Sequence, residues 1–226
     1  MATSFGAFGK IPALGDFFRL NLPQGFVEPW DLWLQSAMVT TRAALGPRWQ
    51  ECFLTAPLWR FSLAAGLAGP QAVTGVMMAS VDRVGRQYPL TLAAPHPGGA
   101  SPERMHLAAA GLFDDLEAIA LDMLEDGMTK ELLSERLAGL KLPAVTAHVP
   151  YSAGAARVVI APNQAVLLAE LAGNCLSQSY RRPSLWSAAV AEGTRLLVCE
   201  GLPDMSLVPA LFEITDPIWS KEKAHV

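Results

Sequence analysis

From Val73 to Val81 the chain reads Val-Thr-Gly-Val-Met-Met-Ala-Ser-Val, without one charged side chain. A strand of that composition has no face to give to water, so it must run through the middle of a sheet covered on both sides. The neighbouring segments fit that demand. Leu58-Trp59-Arg60-Phe61-Ser62-Leu63 alternates apolar with less apolar residues and reads as a preceding strand, and Gly66 to Pro70 supplies a turn. Tyr88 to Ala93 reads as a third strand after the compact insertion Asp82-Arg83-Val84-Gly85-Arg86. Connections this short favour an antiparallel meander. The charge-free stretch from Phe61 to Val81 is no bilayer span, which needs about 20 continuous apolar residues, because Gly66, Gly69, Pro70, Gln71 and Gly75 interrupt it. Direct membrane insertion is not expected.

Helices are expected on either side of this meander. Glu28-Pro29-Trp30-Asp31 reads as a helix start, with Pro29 in the first turn and acids near the positive end of the dipole. Trp30, Trp33, Leu34, Ala37 and Met38 fall at helical spacing, so one face of this helix is buried. Gly46-Pro47 ends it, and a short helix is expected from Arg48 to Leu54. The Pro- and Gly-rich segment 95–102 is the best candidate for an internal boundary. Beyond it, Ser101 is placed to cap a helix from Pro102 to Leu124, and Thr129 one reaching about Leu140. Further strands are expected at Val145 to Val149, Arg157 to Ile160, Ala165 to Leu168 and Arg195 to Cys199, with a last helix between Pro203 and Phe212. Strands, then helices, then strands describe an α+β fold. The expected architecture is a mixed, mainly antiparallel central sheet with helices packed on it, in a single domain over residues 1–226.

Composition narrows function mostly by exclusion. Hydrophobic residues make up 51% of the 226 positions and charged ones 17%, with a formal charge of -4. That is ample apolar surface to offset the entropy of ordering. Nucleic acid is not an expected partner, because no Lys/Arg stripe is present to neutralise phosphates. The first thirty residues carry only Lys10 and Arg19 as basic groups, and Pro12, Gly15 and Asp16 interrupt any export-signal core, so a cytoplasmic location is expected. Cys52, Cys175 and Cys199 are widely spaced and are expected as reduced, mostly buried thiols. His96, His106, His148 and His225 lack paired spacing, so no metal or other cofactor is expected. His96 stands between two prolines, which suggests a solvent-facing loop. Gly6-Ala7-Phe8-Gly9-Lys10-Ile11 superficially resembles a phosphate-binding loop. Only two residues separate its glycines, however, and Ile11 stands where a hydroxyl should be. The glycines fit a tight turn or a positive φ better.

Scarce charge concentrates in Ser80-Val81-Asp82-Arg83-Val84-Gly85-Arg86. Two readings of that block stay open. Arg83 and Arg86 are candidate bidentate donors to a partner's carboxylate or phosphate. Alternatively, Asp82 accepts backbone or arginine hydrogen bonds while Gly85 makes the turn. Asp16 is a candidate counterion for one of the arginines, and Lys10 joins the same candidate cluster. An enzyme binding a small molecule or nucleotide through Asp16, Asp82 and Arg86 is the alternative; it requires a deep polar pocket with a perturbed carboxylate. A purely structural subunit is a third class. Of the six tryptophans, Trp30, Trp33 and Trp59 are expected in the core, while Trp186 and Trp219 are candidate interface aromatics.

Several blocks together resemble the TagF family of type VI secretion-associated proteins. They are Gly6-Ala7-Phe8-Gly9-Lys10-Ile11-Pro12-Ala13-Leu14-Gly15-Asp16-Phe17, then Trp30-Asp31-Leu32-Trp33-Leu34-Gln35, then Ala56-Pro57-Leu58-Trp59-Arg60-Phe61. The most distinctive is Ser80-Val81-Asp82-Arg83-Val84-Gly85-Arg86-Gln87-Tyr88-Pro89-Leu90-Thr91-Leu92, where Gln87-Tyr88 replaces a more usual pairing with Phe before Pro89. Ser184-Leu185-Trp186 and Gly201-Leu202-Pro203 are weaker matches. The resemblance implies a non-enzymatic, cytoplasmic, post-translational repressor of type VI secretion. The partner it implies is the scaffold protein with a forkhead-associated domain. It implies the stand-alone form, without the metal-dependent phosphatase fused to some members, and it supplies no catalytic residues, no cofactor and no oligomeric state.

Overall fold

In the computed structural model, which describes residues 4–96, 101–125, 127–145 and 151–220, the apolar run forms the middle strand of a seven-stranded antiparallel sheet. In chain order the elements are β1 (Gly6–Gly9), β2 (Phe18–Leu20), α1 (Gln24–Leu45), α2 (Trp49–Leu54), β3 (Trp59–Leu63), β4 (Val73–Met78) and β5 (Leu90–Pro95). Then follow α3 (Pro102–Ala108), α4 (Ala110–Asp122), α5 (Lys130–Ala138), β6 (Tyr151–Ala153), β7 (Ala156–Val158), α6 (Gln164–Ser179), β8 (Pro183–Val190), β9 (Gly193–Glu200) and α7 (Pro209–Phe212). The sheet order is β2-β1-β5-β4-β3-β8-β9, so β3, β4 and β5 form the expected meander and the late hairpin β8-β9 completes the same sheet. Among the described residues, strands β6 and β7 pair only with each other. Helices on both faces of this sheet make the fold α+β.

Side chains of β4 alternate between two cores. Val73 and Met77 enter an aromatic cluster beneath α1, α2 and α7, whereas Val76 and Met78 enter a mainly aliphatic one, with Phe5, Phe18 and Phe113, beneath α3, α4 and α5. Both faces are therefore dry, which is why the run needs no polar alternation. On the aromatic side Trp30 stacks on Phe26, Trp33, Phe61 and Trp186, with ring centroids between 4.9 and 6.0 Å apart. All six indole N–H groups donate to an acceptor, so the large rings are buried without orphaning a donor. Trp186 is fully buried in this stack and donates to Ser184 Oγ, which removes it from the surface where an interface aromatic was expected. Trp219, half-buried, stacks on Trp59 at 5.7 Å.

The opposite face hides a row of polar groups. His96 Nε2 lies 2.6 Å from Thr74 Oγ1, Thr74 Oγ1 lies 2.9 Å from Ser62 Oγ, and His106 bridges Ser62 and Ser187 with its two ring nitrogens. His96 is 3% exposed, against the expectation of solvent contact, because its amide continues the β5 ladder onto Ala72 O and draws the ring under the sheet. Burial lowers the His96 pKa to about 4; burial and then the Arg60 charge lower that of His106 to about 3.

Other departures are local. Helix α1 begins at Gln24, with Pro23 as its extended N-cap, so Pro29 lies inside the helix and not in its first turn. Burial of Phe26 and Val27 carries the apolar stripe back far enough to offset the one ladder bond Pro29 cannot make. The helix expected from Pro102 to Leu124 divides at Ala109. Ala165–Leu168, read as a strand, belongs to α6: Asn163 caps it by accepting from Val166 N, and a four-residue apolar run fits either element. Beyond Val145, the strand expected there lies outside the described residues, as do residues 97–100 of the candidate boundary. The last helix is confined to Pro209–Phe212. Cys199 is buried, Cys52 half-buried and Cys175 exposed, so one thiol departs from the buried expectation. No helix among the described residues is long and apolar enough to cross a membrane.

Candidate functional site

The two glycine-containing signature loops meet at one buried carboxylate. Asp82, 2% exposed, ends the segment leaving β4 and accepts four hydrogen bonds. Its Oδ1 takes the amides of Val84 and Arg86 at 3.1 and 2.8 Å. Its Oδ2 takes Lys10 Nζ at 3.0 Å and Arg86 Nε at 2.6 Å. Burial alone would raise this carboxyl; the Arg86 amide, the Lys10 and Arg86 side chains and the Val84 amide outweigh it and hold the pKa well below the usual carboxylate range. A carboxylate so saturated is a structural anchor. General-base chemistry needs the opposite shift, toward neutrality.

The loops are also tied through their backbones. Arg86 Nη2 donates to Gly15 O at 2.5 Å, and Arg83 N donates to Leu14 O at 2.9 Å. Glycine is required at two points of this arrangement. Gly85 adopts φ +82° in the turn that returns Arg86 to Asp82, a conformation costly for other residues. A Cβ on Gly9 would stand 2.1 Å from Pro89 O, so the end of β1 can pass the start of β5 only without one. The segment Gly6–Gly9 is thus a strand, paired with β2 and β5, and its amides are not turned toward a phosphate. Asp16 pairs with neither arginine among the described residues. It is exposed, and its carboxylate accepts from the Phe17 amide.

Beside this knot opens a surface groove of about 790 Å³ between α1, the start of α2 and the Gly85–Tyr88 turn. Its walls include Phe17, Met38, Val39, Arg42, Arg86 and Gln87. Neighbouring contacts fix its shape. Tyr88 OH donates to Asp31 Oδ1, and burial together with that carboxylate pushes the phenol far above its ordinary pKa. Gln35 Nε2 holds Asp31 Oδ2 at 2.8 Å, Trp49 Nε1 donates to Gln87 Oε1 at 2.7 Å, and Phe17 packs edge-on to Tyr88 at 4.6 Å. Val39 is 70% exposed at the rim. No carboxylate lines the groove.

Of the residues singled out in sequence, Lys10, Asp82 and Arg86 come together; Arg83 joins by its backbone and projects to the surface; Asp16 and Trp186 do not join. The α1 wall was missed. Gln35, Val39 and Arg42 recur at helical spacing on the side turned from Trp30 and Trp33, and a second stripe of that kind was the available signal. Among the described residues no group of three or more His, Cys, Asp or Glu is placed to hold a metal ion.

Residues 6–140 match a family model described as the TagF N-terminal domain, type VI secretion system-associated. Among solved structures, the chain is similar to PA0076 from Pseudomonas aeruginosa PAO1, at 36% identity and a TM-score of 0.76 over 93% of this chain and 94% of that one. No curated protein matches it.

Proposed function

Because the chain belongs to the TagF family of type VI secretion system-associated proteins, we propose that it is a cytoplasmic, non-enzymatic repressor of that system. It acts after translation, by binding a component of the machinery, with the forkhead-associated scaffold as the first candidate. One observation carries this reading. The most distinctive charged block is spent on holding two loops together beside an open groove, and its carboxylate is saturated by four donors. Such a site is organised as a surface to be recognised; its carboxylate is held ionised, the opposite of what a general base near neutrality needs.

Secretion measured after deletion and after overproduction tests the reading. A repressor raises secretion when deleted and lowers it when overproduced, with transcript levels of the secretion genes unchanged. A structural subunit gives the reverse result on deletion, and that outcome would overturn the proposal. Co-purification with the forkhead-associated scaffold tests the choice of partner separately.

A further inference from the structure

We infer that the groove between α1 and the Gly85–Tyr88 turn is the docking site for an extended acidic segment of a partner protein. That segment carries a carboxylate for Arg42 and Arg86 and an aliphatic side chain for the wall formed by Phe17, Met38 and Val39. This deepens the proposed function and rests on it.

Charge complementarity selects the occupant. The chain carries a formal charge of -4, yet the groove is lined by two arginines and no acid. Arg42 has no ion-pair partner among the described residues, whereas Arg48, Arg60, Arg86, Arg104 and Arg136 each have one. Arg86 is fixed from behind: Nε is committed to Asp82 and Nη2 to Gly15 O, which leaves Nη1 for an outside acceptor. A guanidinium held in place before binding loses little rotamer entropy on binding, so its contact is stronger than that of a free surface arginine.

The apolar wall argues for a peptide over a small anion. Phe17 is 47% and Val39 70% exposed, and an inorganic anion would leave both uncovered. A partner segment with one acidic and one aliphatic side chain satisfies both halves of the groove. Two cations are too few, on an acidic chain, to hold a nucleic acid.

The test uses the full chain and the purified forkhead-associated scaffold, by titration calorimetry. Arg42→Gln and Val39→Asp each weaken binding by about tenfold or more, Arg42→Lys restores most of the loss, and Leu168→Asp on α6 leaves affinity unchanged. Both positions are exposed, so the thermal midpoint of each variant stays near that of the parent. A scan of overlapping scaffold peptides of about fifteen residues against the unmodified chain keeps the test independent of the variants. The expected hits place Asp or Glu within a few residues of Leu, Ile or Val; basic or uncharged hits overturn the acidic occupant. Undiminished scaffold binding by both variants overturns the groove and leaves the proposed partner standing. No binding by the unmodified chain removes that partner and the inference with it. Self-association abolished by Val39→Asp would make a second copy the occupant and overturn the acidic partner.

Discussion

The two faces of the central sheet solve the same packing problem with different materials. Under α1, α2 and α7 the core is a stack of indole and phenyl rings whose N–H groups all reach acceptors. Under α3, α4 and α5 it is mainly aliphatic, with Phe5, Phe18 and Phe113 set apart from one another, and it is crossed by a row of hydroxyls and two buried imidazoles. The aromatic face is held by stacked rings and by indole donors that do not titrate. The other face is held by groups whose neutrality depends on pH, and the groove opens beside the aromatic one. A recognition surface sited next to fixed rings keeps its shape as conditions change.

The sharpest way to break this contrast is to remove one ring. Trp30→Ala should cost about 3–5 kcal/mol in urea unfolding, and more than Leu116→Ala on the other face, because it also strips Thr91 of its partner. Equal losses would show that the rings act only as filler. Next in size, Lys10→Met leaves the buried Asp82 short of a cation and should lower the thermal midpoint by roughly 10 °C. A change of under a few degrees would mean that Arg86 and the two amides suffice. The polar row supplies the third effect. Unfolded histidine titrates near 6.5, but His96 and His106 stay neutral down to about 4 and about 3. Between those values the unfolded chain binds more protons, so stability falls as pH drops from 6.5 toward 4. The loss should be on the order of 2–3 kcal/mol per histidine, and His96→Gln should flatten the profile. Asp82, held ionised, contributes in full above the unfolded carboxyl range, and that contribution is lost progressively as pH falls below that range toward its lowered folded value. The smallest effect belongs to Asp16→Ala, within about 0.5 kcal/mol of the parent, because Asp16 is exposed and serves only the Phe17 amide.

The meander, the first helix and the centrality of β4 were legible in the sequence because burial on both faces leaves an unmistakable absence of charge. Of the charged cluster, Asp82 and Arg86 were legible as partners, since a turn of four residues brings them together. Lys10 was legible only as a member of the block, because its bond to Asp82 spans 72 positions and depends on β1 lying beside β5. Asp16 was misread for the same reason: sequence proximity to the knot does not say which side of the loop faces it. Trp186 was misread because β8 has no recognisable period; its burial comes from sheet order, with Leu185 and Trp186 directed to opposite layers and both inaccessible. Helix α6 hid behind four apolar residues that suit a strand equally well.

The lacing of the Leu14–Gly15 loop to the Arg83–Arg86 turn has a consequence in time. Those segments lie about seventy residues apart, and they touch only after β1 has slotted between β2 and β5. Local turns form faster than contacts that close so long a loop, so a copy in which β1 is still unpaired should lack the Lys10 and Gly15 braces on the turn that lines the groove. A partner that needs the braced shape would then tell a finished molecule from a half-folded one.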